Sequence, residues 1–305
     1  MASVNFSKSA LSLVLIMVGI SHQMSAQEVG EYGFLEIPVS TRAAALGGTA
    51  ISVVEPEAAL ADQNPALLCP EMAGQVSLSY INYVSDINLG YASYAGRFLS
   101  YGAWAGAVRF VDYGSFVRYD DNGVQAGTFS AKDISMSGSV GYPLNDQWNI
   151  GGTLRAIYTK YESYGAFAIG VDVGTNYYSE ETGTSFSAVV TNLGGQLASL
   201  YDRYQHLPTQ MAVGFSKELE HLPVCVSLSA IDLFDWDRSF VKHVVVGAEW
   251  LISDNIYFAG GYNFRHFSVG GGLKYRNWNL QLAYARYNSL DGSLNLGLTY
   301  RINNK

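Results

Sequence analysis

From about Gly74 to the end of the chain, apolar and polar residues alternate with a period of two. In segment 76–80, Val76, Leu78 and Tyr80 alternate with Ser77 and Ser79. In 134–142, Ile134, Met136, Val140 and Tyr142 oppose Ser135, Ser137, Ser139 and Gly141. Segment 278–284 sets Trp278, Leu280, Leu282 and Tyr284 against Asn279, Gln281 and Ala283. The last run sets Leu294, Leu296, Leu298, Tyr300 and Ile302 against Asn295, Gly297, Thr299 and Arg301. This is the pattern of strands with one face in an apolar medium and one in a polar one.

The pattern predicts about fourteen strands, to within two: 75–84, 88–98, 101–111, 133–142, 148–159, 165–178, 184–193, 209–218, 224–232, 243–252, 256–264, 267–275, 278–287 and 293–302. Many run 9–11 residues, the length a tilted strand needs to cross a bilayer, whereas soluble strands average about 5–6. Connections alternate short and long. Short turns fall near Leu99-Ser100, Pro143–Gln147, Ser179–Gly183, Glu220–Leu222, Ser253–Asn255 and Arg276-Asn277; the longer ones lie at about 112–132, 194–208 and 233–242. Outer-membrane barrels have short periplasmic turns and longer surface loops. Trp104, Trp148, Trp250 and Trp278 adjoin short turns, with Tyr142, Tyr178, Tyr275 and Tyr300 at the same level, as an interfacial aromatic girdle would. The expected fold is therefore all-β: a transmembrane outer-membrane β-barrel of antiparallel strands, monomeric, with an even strand number that leaves no edge in lipid. Inward positions are mostly Ser, Gly, Ala and Asn. Arg109, Arg155, Asp172, Glu249, Lys274 and Arg301 also fall on the inward phase, and their mixed signs point to internal ion pairing.

The chain has 305 residues, of which 49% are hydrophobic and 14% charged, with 22 Tyr and 32 Gly. That composition excludes a disordered chain. Two cysteines cannot form a disulfide scaffold in a chain this long. A net charge of −8 argues against nucleic acid as a partner.

Residues 1–26 read as a signal peptide: Lys8 precedes an apolar run from Leu11 to Ile20, and Met24-Ser25-Ala26 fits a cleavage site. The apolar run is shorter than the ~20 residues of a spanning helix. Residues 27–73 do not alternate. They hold Phe34–Pro38, the Ala-rich Thr41–Gly48 (a short helix ending in Gly-Gly), and Asp62-Gln-Asn-Pro-Ala-Leu-Leu68 with a turn at Asn-Pro. This apolar segment, nearly free of lysine, is expected to plug the lumen of the barrel formed by 74–305.

The stretch Arg42-Ala-Ala-Ala-Leu-Gly-Gly48 followed by Asn64-Pro65-Ala66 resembles the N-terminal hatch of FadL-like outer-membrane barrels. Within that superfamily the chain resembles the PorV/PorQ group of the type IX secretion system of Bacteroidetes, most of all its PorQ-like members. The resemblance also covers Gly127–Asp133, Phe167–Asp172, Asn192–Gln196, His206–Pro208 and Ala230–Leu233. It implies a non-enzymatic scaffold in an outer-membrane attachment complex, tethering a PorZ-like surface protein and working with the sortase PorU and with PorV, so that secreted cargo is processed and attached to anionic lipopolysaccharide. Arg42, Gly47, Gly48, Asn64 and Pro65 would be the structural hatch motif. A FadL-type transporter of hydrophobic small molecules and a PorV-like cargo shuttle are the alternative readings. An apolar pocket inside the barrel would favour transport, and the small polar inward residues speak mildly against one.

Other chemistry is weakly signalled, and no catalytic residue, metal or cofactor is expected. His206, His243 and His266 fall near the surface end, with Ser239 and Ser268 nearby, but rim histidines are the preferred reading over a dyad. Asp120-Asp121-Asn122-Gly123 lacks the spaced ligands and closing Glu of a calcium loop. Gly270-Gly271-Gly272 precedes no helix and so is no phosphate loop; it would let a strand bend or the hatch approach closely. Cys69 and Cys225 could pair in an oxidising periplasm, but packing singly, one in the hatch and one in a strand, is the preferred reading. Partner docking is assigned to loop aromatics, Phe116, Tyr201, Tyr204, Trp236 and Phe240. The same aromatics could instead fold back over the barrel.

Overall fold

The computed structural model describes residues 32–84, 87–99, 101–119, 123–162, 164–198, 204–235, 239–288 and 291–302. The expected signal peptide, with Tyr201 and Trp236, lies outside the described residues.

Fourteen antiparallel strands close into one barrel, in which each strand pairs with its neighbours in sequence and β1 pairs with β14. They are β1 (Gln75–Asn82), β2 (Asn88–Phe98), β3 (Gly102–Tyr119), β4 (Gln125–Pro143), β5 (Trp148–Tyr161), β6 (Tyr164–Ser179), β7 (Thr184–Ala198), β8 (Gln210–Glu218), β9 (Val224–Ala230), β10 (Val244–Ser253), β11 (Ile256–Asn263), β12 (His266–Tyr275), β13 (Trp278–Tyr287) and β14 (Gly292–Arg301). Closure leaves no unpaired strand edge in lipid, the condition for spanning a bilayer with sheet.

The alternation sorts as its chemistry requires. Leu78, Met136, Leu154, Phe258, Leu282 and Leu296 are exposed on the outer wall. Ser77, Ser135, Ser139, Thr153 and Ser185 are buried inside. Such an outward band demands a hydrocarbon surround, so this is a transmembrane barrel. The tryptophans mark the short-turn rim: Trp104 meets Tyr94 at 5.7 Å, Trp148 meets Tyr177 at 5.2 Å and Trp278 meets Tyr300 at 4.4 Å between ring centroids. One girdle assignment changes. Tyr177 holds the interfacial position, while Tyr178 falls on the opposite phase and its hydroxyl donates to Glu218 at 3.5 Å.

The strands are not of equal height. β8–β14 have 7 to 10 residues, at or just under the length of a bilayer-crossing strand, whereas β3–β7 have 14 to 19. The excess lies at the long-loop rim, which therefore stands high over β3–β7 and low over β8–β14. Here the sequence expectation is corrected. Segment 112–132 is mostly not a loop but the upper half of the β3–β4 hairpin. Asp112 and Gly114 sit at a register shift between Asp112 and Ser115, Gly127 lies across from a second one between Val117 and Tyr119, and both glycines have positive φ. Likewise β7 runs on to Ala198, into the segment expected to be loop.

Residues 32–74 fill the lumen. They form 3-10 turns at Gly33–Glu36, Ala58–Asp62, Pro65–Leu67 and Pro70–Met72, and one short helix, α1 (Thr41–Ala45). The core of the molecule is the plug–wall contact. Tyr32, Phe34 and Val39 of the plug pack with Leu89, Val111 and Ile157 of the wall. Leu46, Leu60 and Leu67 pack with Tyr257 and Ala259.

Candidate functional site: the plug and the long-loop rim

α1 starts at Ser40, whose hydroxyl accepts from the Ala43 N–H at 3.3 Å. It ends at Gly47 and Gly48, whose φ of 91° and 93° is left-handed backbone that glycine adopts without cost. The Gly48 N–H returns to the Ala43 carbonyl at 2.9 Å. This turn is latched to the wall. The Ser268 hydroxyl accepts from Gly47 N–H at 2.9 Å and donates to the Ala45 carbonyl at 2.8 Å, while the Asn263 amide donates to the Gly47 carbonyl at 2.6 Å. Ser268 is thus committed to holding the plug. His266 lies tilted against Tyr287, with ring centroids 4.7 Å apart, and His243 Nδ1 lies 2.8 Å from the Ile231 carbonyl.

Arg42 projects from α1 and is 1% exposed. Its guanidinium faces both carboxylate oxygens of Glu249 on β10, donates to Glu57 at 3.1 Å and lies 3.6 Å from Glu55. The Tyr257 ring lies 4.1 Å from its carbon, a cation–π contact. Glu57 also accepts from Ser40 and from Gln281. Glu55 is shared with Lys274 of β12 at 3.4 Å.

A second cluster lies around Asp62. Its carboxylate receives Arg109 of β3 at 2.5 Å and Arg155 of β5 at 3.2 Å. Arg155 also pairs with Asp172 at 3.1 Å, and Asp172 accepts from the Asn192 N–H at 2.6 Å. Arg109 further donates to the Phe34 carbonyl at 2.8 Å. Burial alone would raise the Asp62 carboxyl, but the two guanidiniums outweigh it and hold the group below the usual aspartate range.

Asn64 and Pro65 form the third fastening. The Asn64 side chain accepts from Ala66 N–H and donates to the Ile51 carbonyl, and Pro65 starts the 3-10 turn, where its missing N–H costs nothing. The wall facing these turns is made of glycine. A Cβ at Gly151 would overlap the Pro65–Ala66 peptide, at Gly174 the Asn64 side chain, at Gly261 the Leu46–Gly47 peptide and at Gly297 the Thr41 side chain. The plug backbone therefore seats directly on the strands.

All five hatch positions, Arg42, Gly47, Gly48, Asn64 and Pro65, are thus at plug–wall or plug–plug contacts. Of the six inward charges, Arg109, Arg155, Asp172, Glu249 and Lys274 form ion pairs, mostly with the plug, while Arg301 is exposed and donates to the Glu71 carbonyl at 2.7 Å. Glu55, Glu57 and Asp62 were not singled out from sequence. The signal was available: most of the inward charges predicted are cations, and the plug has a surplus of carboxylates to meet them. An inner cavity beside Ile37, Tyr83, His266 and Tyr287 encloses about 10 Å³, at the lower limit for a single water.

The docking candidates lie at the long-loop rim. Phe116 is on the β3–β4 hairpin, exposed and stacked on Phe129 at 5.4 Å. Arg118 ties this hairpin to Glu162 at 2.5 Å. Tyr204 and Phe240 are 69% and 74% exposed, on the β7–β8 and β9–β10 connections. Asp120, Asp121 and Asn122 lie outside the described residues; among those described, no group of three metal-ligating side chains occurs. Cys69, in the plug, and Cys225, on β9, are free thiols.

No family model matches the chain, and no curated protein does. Solved structures do. The toluene transporter TodX of Pseudomonas putida is 12% identical with a TM-score of 0.59, over 85% of this chain and 96% of its own. The CymD monoaromatic hydrocarbon channel is 12% identical at 0.59, over 88% and 99%. A Pseudomonas aeruginosa FadL homologue is 11% identical at 0.56, over 88% and 99%. At such identities the likeness is one of architecture, and the chain has the fold of the FadL-like outer-membrane β-barrels.

Proposed function

We propose that this protein is a closed, non-enzymatic anchor of the outer membrane, PorQ-like, that holds a PorZ-like surface protein at its long-loop rim within a type IX secretion attachment complex that includes the sortase PorU and PorV. The observation that carries the closed state is the plug: it is fastened by two buried charge clusters and seats on bare glycine backbone. A lumen filled in this way favours a rigid support over a conduit. The uneven rim supports the docking half of the reading, because β3–β4 lifts Phe116 clear of the bilayer while Tyr204 and Phe240 lie exposed on the connections. The assignment to type IX secretion rests on the sequence resemblance.

The test is a pull-down of the tagged protein from its native outer membrane in mild detergent, with proteins and lipids read by mass spectrometry. A stoichiometric surface protein, lost when residues 114–127 are replaced by a two-residue turn, supports the anchor. The second reading, a FadL-type transporter, draws on the fold shared with hydrocarbon channels. A barrel that comes down alone, carrying a fatty acid or other apolar molecule in its lumen, would establish it instead. Recovery with many unrelated secreted proteins would point to the PorV-like shuttle.

A further inference from the structure

The outer wall carries a depression of about 720 Å³ over β1–β3 and β13–β14, within the range of small-molecule sites. Its sides are Leu78, Val108, Phe110, Leu280, Leu296 and Leu298, and Gly90 and Ala92 of β2 lie among them. The strand register explains the shape. Gly90 lies between Tyr80 and Phe110, and Ala92 between Leu78 and Val108. Two successive small residues on β2 thus leave a trough between the ridges of β1 and β3, about 10 Å apart at two strand spacings.

Gly90 has no structural need to be glycine. Its φ is not left-handed, and an added Cβ would meet nothing within 4 Å. A glycine inside a strand costs stability, and where turn or packing does not require it, it marks a place that something else approaches. Above Gly90, at the long-loop end, sits a polar group on the same outward face. Asn88 Oδ1 accepts from the Tyr80 hydroxyl at 2.7 Å and from the Asn82 amide at 3.0 Å. Below Ala92, the Tyr94–Trp104 pair stands at the short-turn rim. The trough is therefore apolar along its length and polar at its outer end only, at the level where a bilayer lipid passes from chain to headgroup.

We propose that this trough is a binding site for one outer-leaflet lipid, with an acyl chain lying over Gly90 and Ala92 and the headgroup region against Tyr80, Asn82 and Asn88. Its floor over Gly90 and Ala92 is one strand wide, the width of a methylene chain; a second barrel seated there is the rival occupant that the experiment distinguishes. The site is independent of whether the protein acts as an anchor or a channel.

The experiment is native mass spectrometry of the full protein in detergent, titrated with lipid A, the acylated anchor of the lipopolysaccharide of the outer leaflet. The first lipid is expected to bind at least about tenfold more tightly than later ones. Gly90→Leu fills the trough and is expected to abolish that difference; Ala92→Leu and Asn88→Ala are the second and third variants should the first fold poorly. Gly138→Leu is the control, since Gly138 lies on β4, outside the trough, and a Cβ there also meets open space. Heat-modified gel mobility verifies that each barrel folds. Equal lipid retention in the folded trough variants and the control overturns the proposal. So does equal loss in the control, or a dimer mass that Gly90→Leu removes.

Discussion

At Asp62, burial and charge pull in opposite directions, and the two arginines prevail. The folded carboxyl titrates below the unfolded one. Its stabilisation is therefore fully present above the ordinary aspartate value of about 3.9 and is lost as pH falls through the lower, folded value. Thermal unfolding in detergent should show this contribution undiminished at pH 5 and failing only in strong acid. Asp62→Asn leaves Arg109 and Arg155 with one buried carboxylate, Asp172, where they had two. Removing one partner of a buried ion pair costs about 3–5 kcal/mol, and a loss in that range is expected. A loss under about 1 kcal/mol would mean the cluster is hydrated and only loosely coupled. Cys69 offers a probe of the plug itself. Burial, then a hydrogen bond with Glu71, pushes its thiol up to about 12. In a Cys225→Ser background it should alkylate far more slowly at pH 8 than an unfolded thiol, because the thiolate is the reactive form.

At the level of elements, the plug and the upper hairpin differ in how they are held. The plug touches wall strands on every side, and its turns need glycine opposite them. Gly151→Leu drives a side chain into the path of Pro65 and Ala66. It should displace that turn without opening the barrel, read as faster alkylation of Cys69 with unchanged heat-modified mobility. Above the bilayer, the β3–β4 ribbon is braced within itself by the Phe116–Phe129 stack and tied to the β5–β6 turn by the Arg118–Glu162 pair and by the Glu162 N–H donating to the Ser130 carbonyl. Deleting 114–127 is expected to shift the melting temperature by less than 2 °C, since no plug contact is lost. The difference follows what could be read from sequence. Strands β1, β2 and β13 were legible nearly to the residue, because one face meets lipid and the other a polar interior, and the period of two is enforced at every step. The upper halves of β3 and β4 lack that contrast. Residues 115–119 are exposed irrespective of phase, so no alternation marks them as strand, and Gly114 and Gly127 read as loop. The hatch motif was visible as residues, but not its partners. That Arg42 meets Glu249, or that Gly151 faces Pro65, depends on register across more than 80 residues of chain.

For the molecule as a whole, the plug makes the barrel a solid object. In planar bilayers the intact protein is expected to give no steady conductance, while a chain lacking 32–73 should conduct, because a fourteen-stranded wall lined by Ser, Gly and Asn would then enclose water. Spontaneous conductance by the intact protein would show that the plug leaves its seat at ordinary temperature. The slanted rim gives the same object a direction. Anything that docks from outside meets a tall sheet over β3–β7 and a low sill over β8–β14, so a bound partner is held to one side of the barrel axis.

The join at Gly74 has a consequence for how the molecule comes into being. The Gly74 N–H donates to the Ala95 carbonyl, and the Ile302 N–H donates to the Gly74 carbonyl, both at 2.8 Å. The last residue of the plug is thus stitched to the last strand, and Thr41 is bonded to Asn295, 254 positions away. The final hydrogen-bonded seam cannot close until the C-terminal strand exists, and when it closes the plug must already be inside. Contacts so distant in sequence make closure slow, since loop entropy is lost before they form. The N-terminal segment is then a mould as well as a stopper: made first, it meets β10–β14 only once they are made, and its arginine and its small residues are the surface those strands are fitted to.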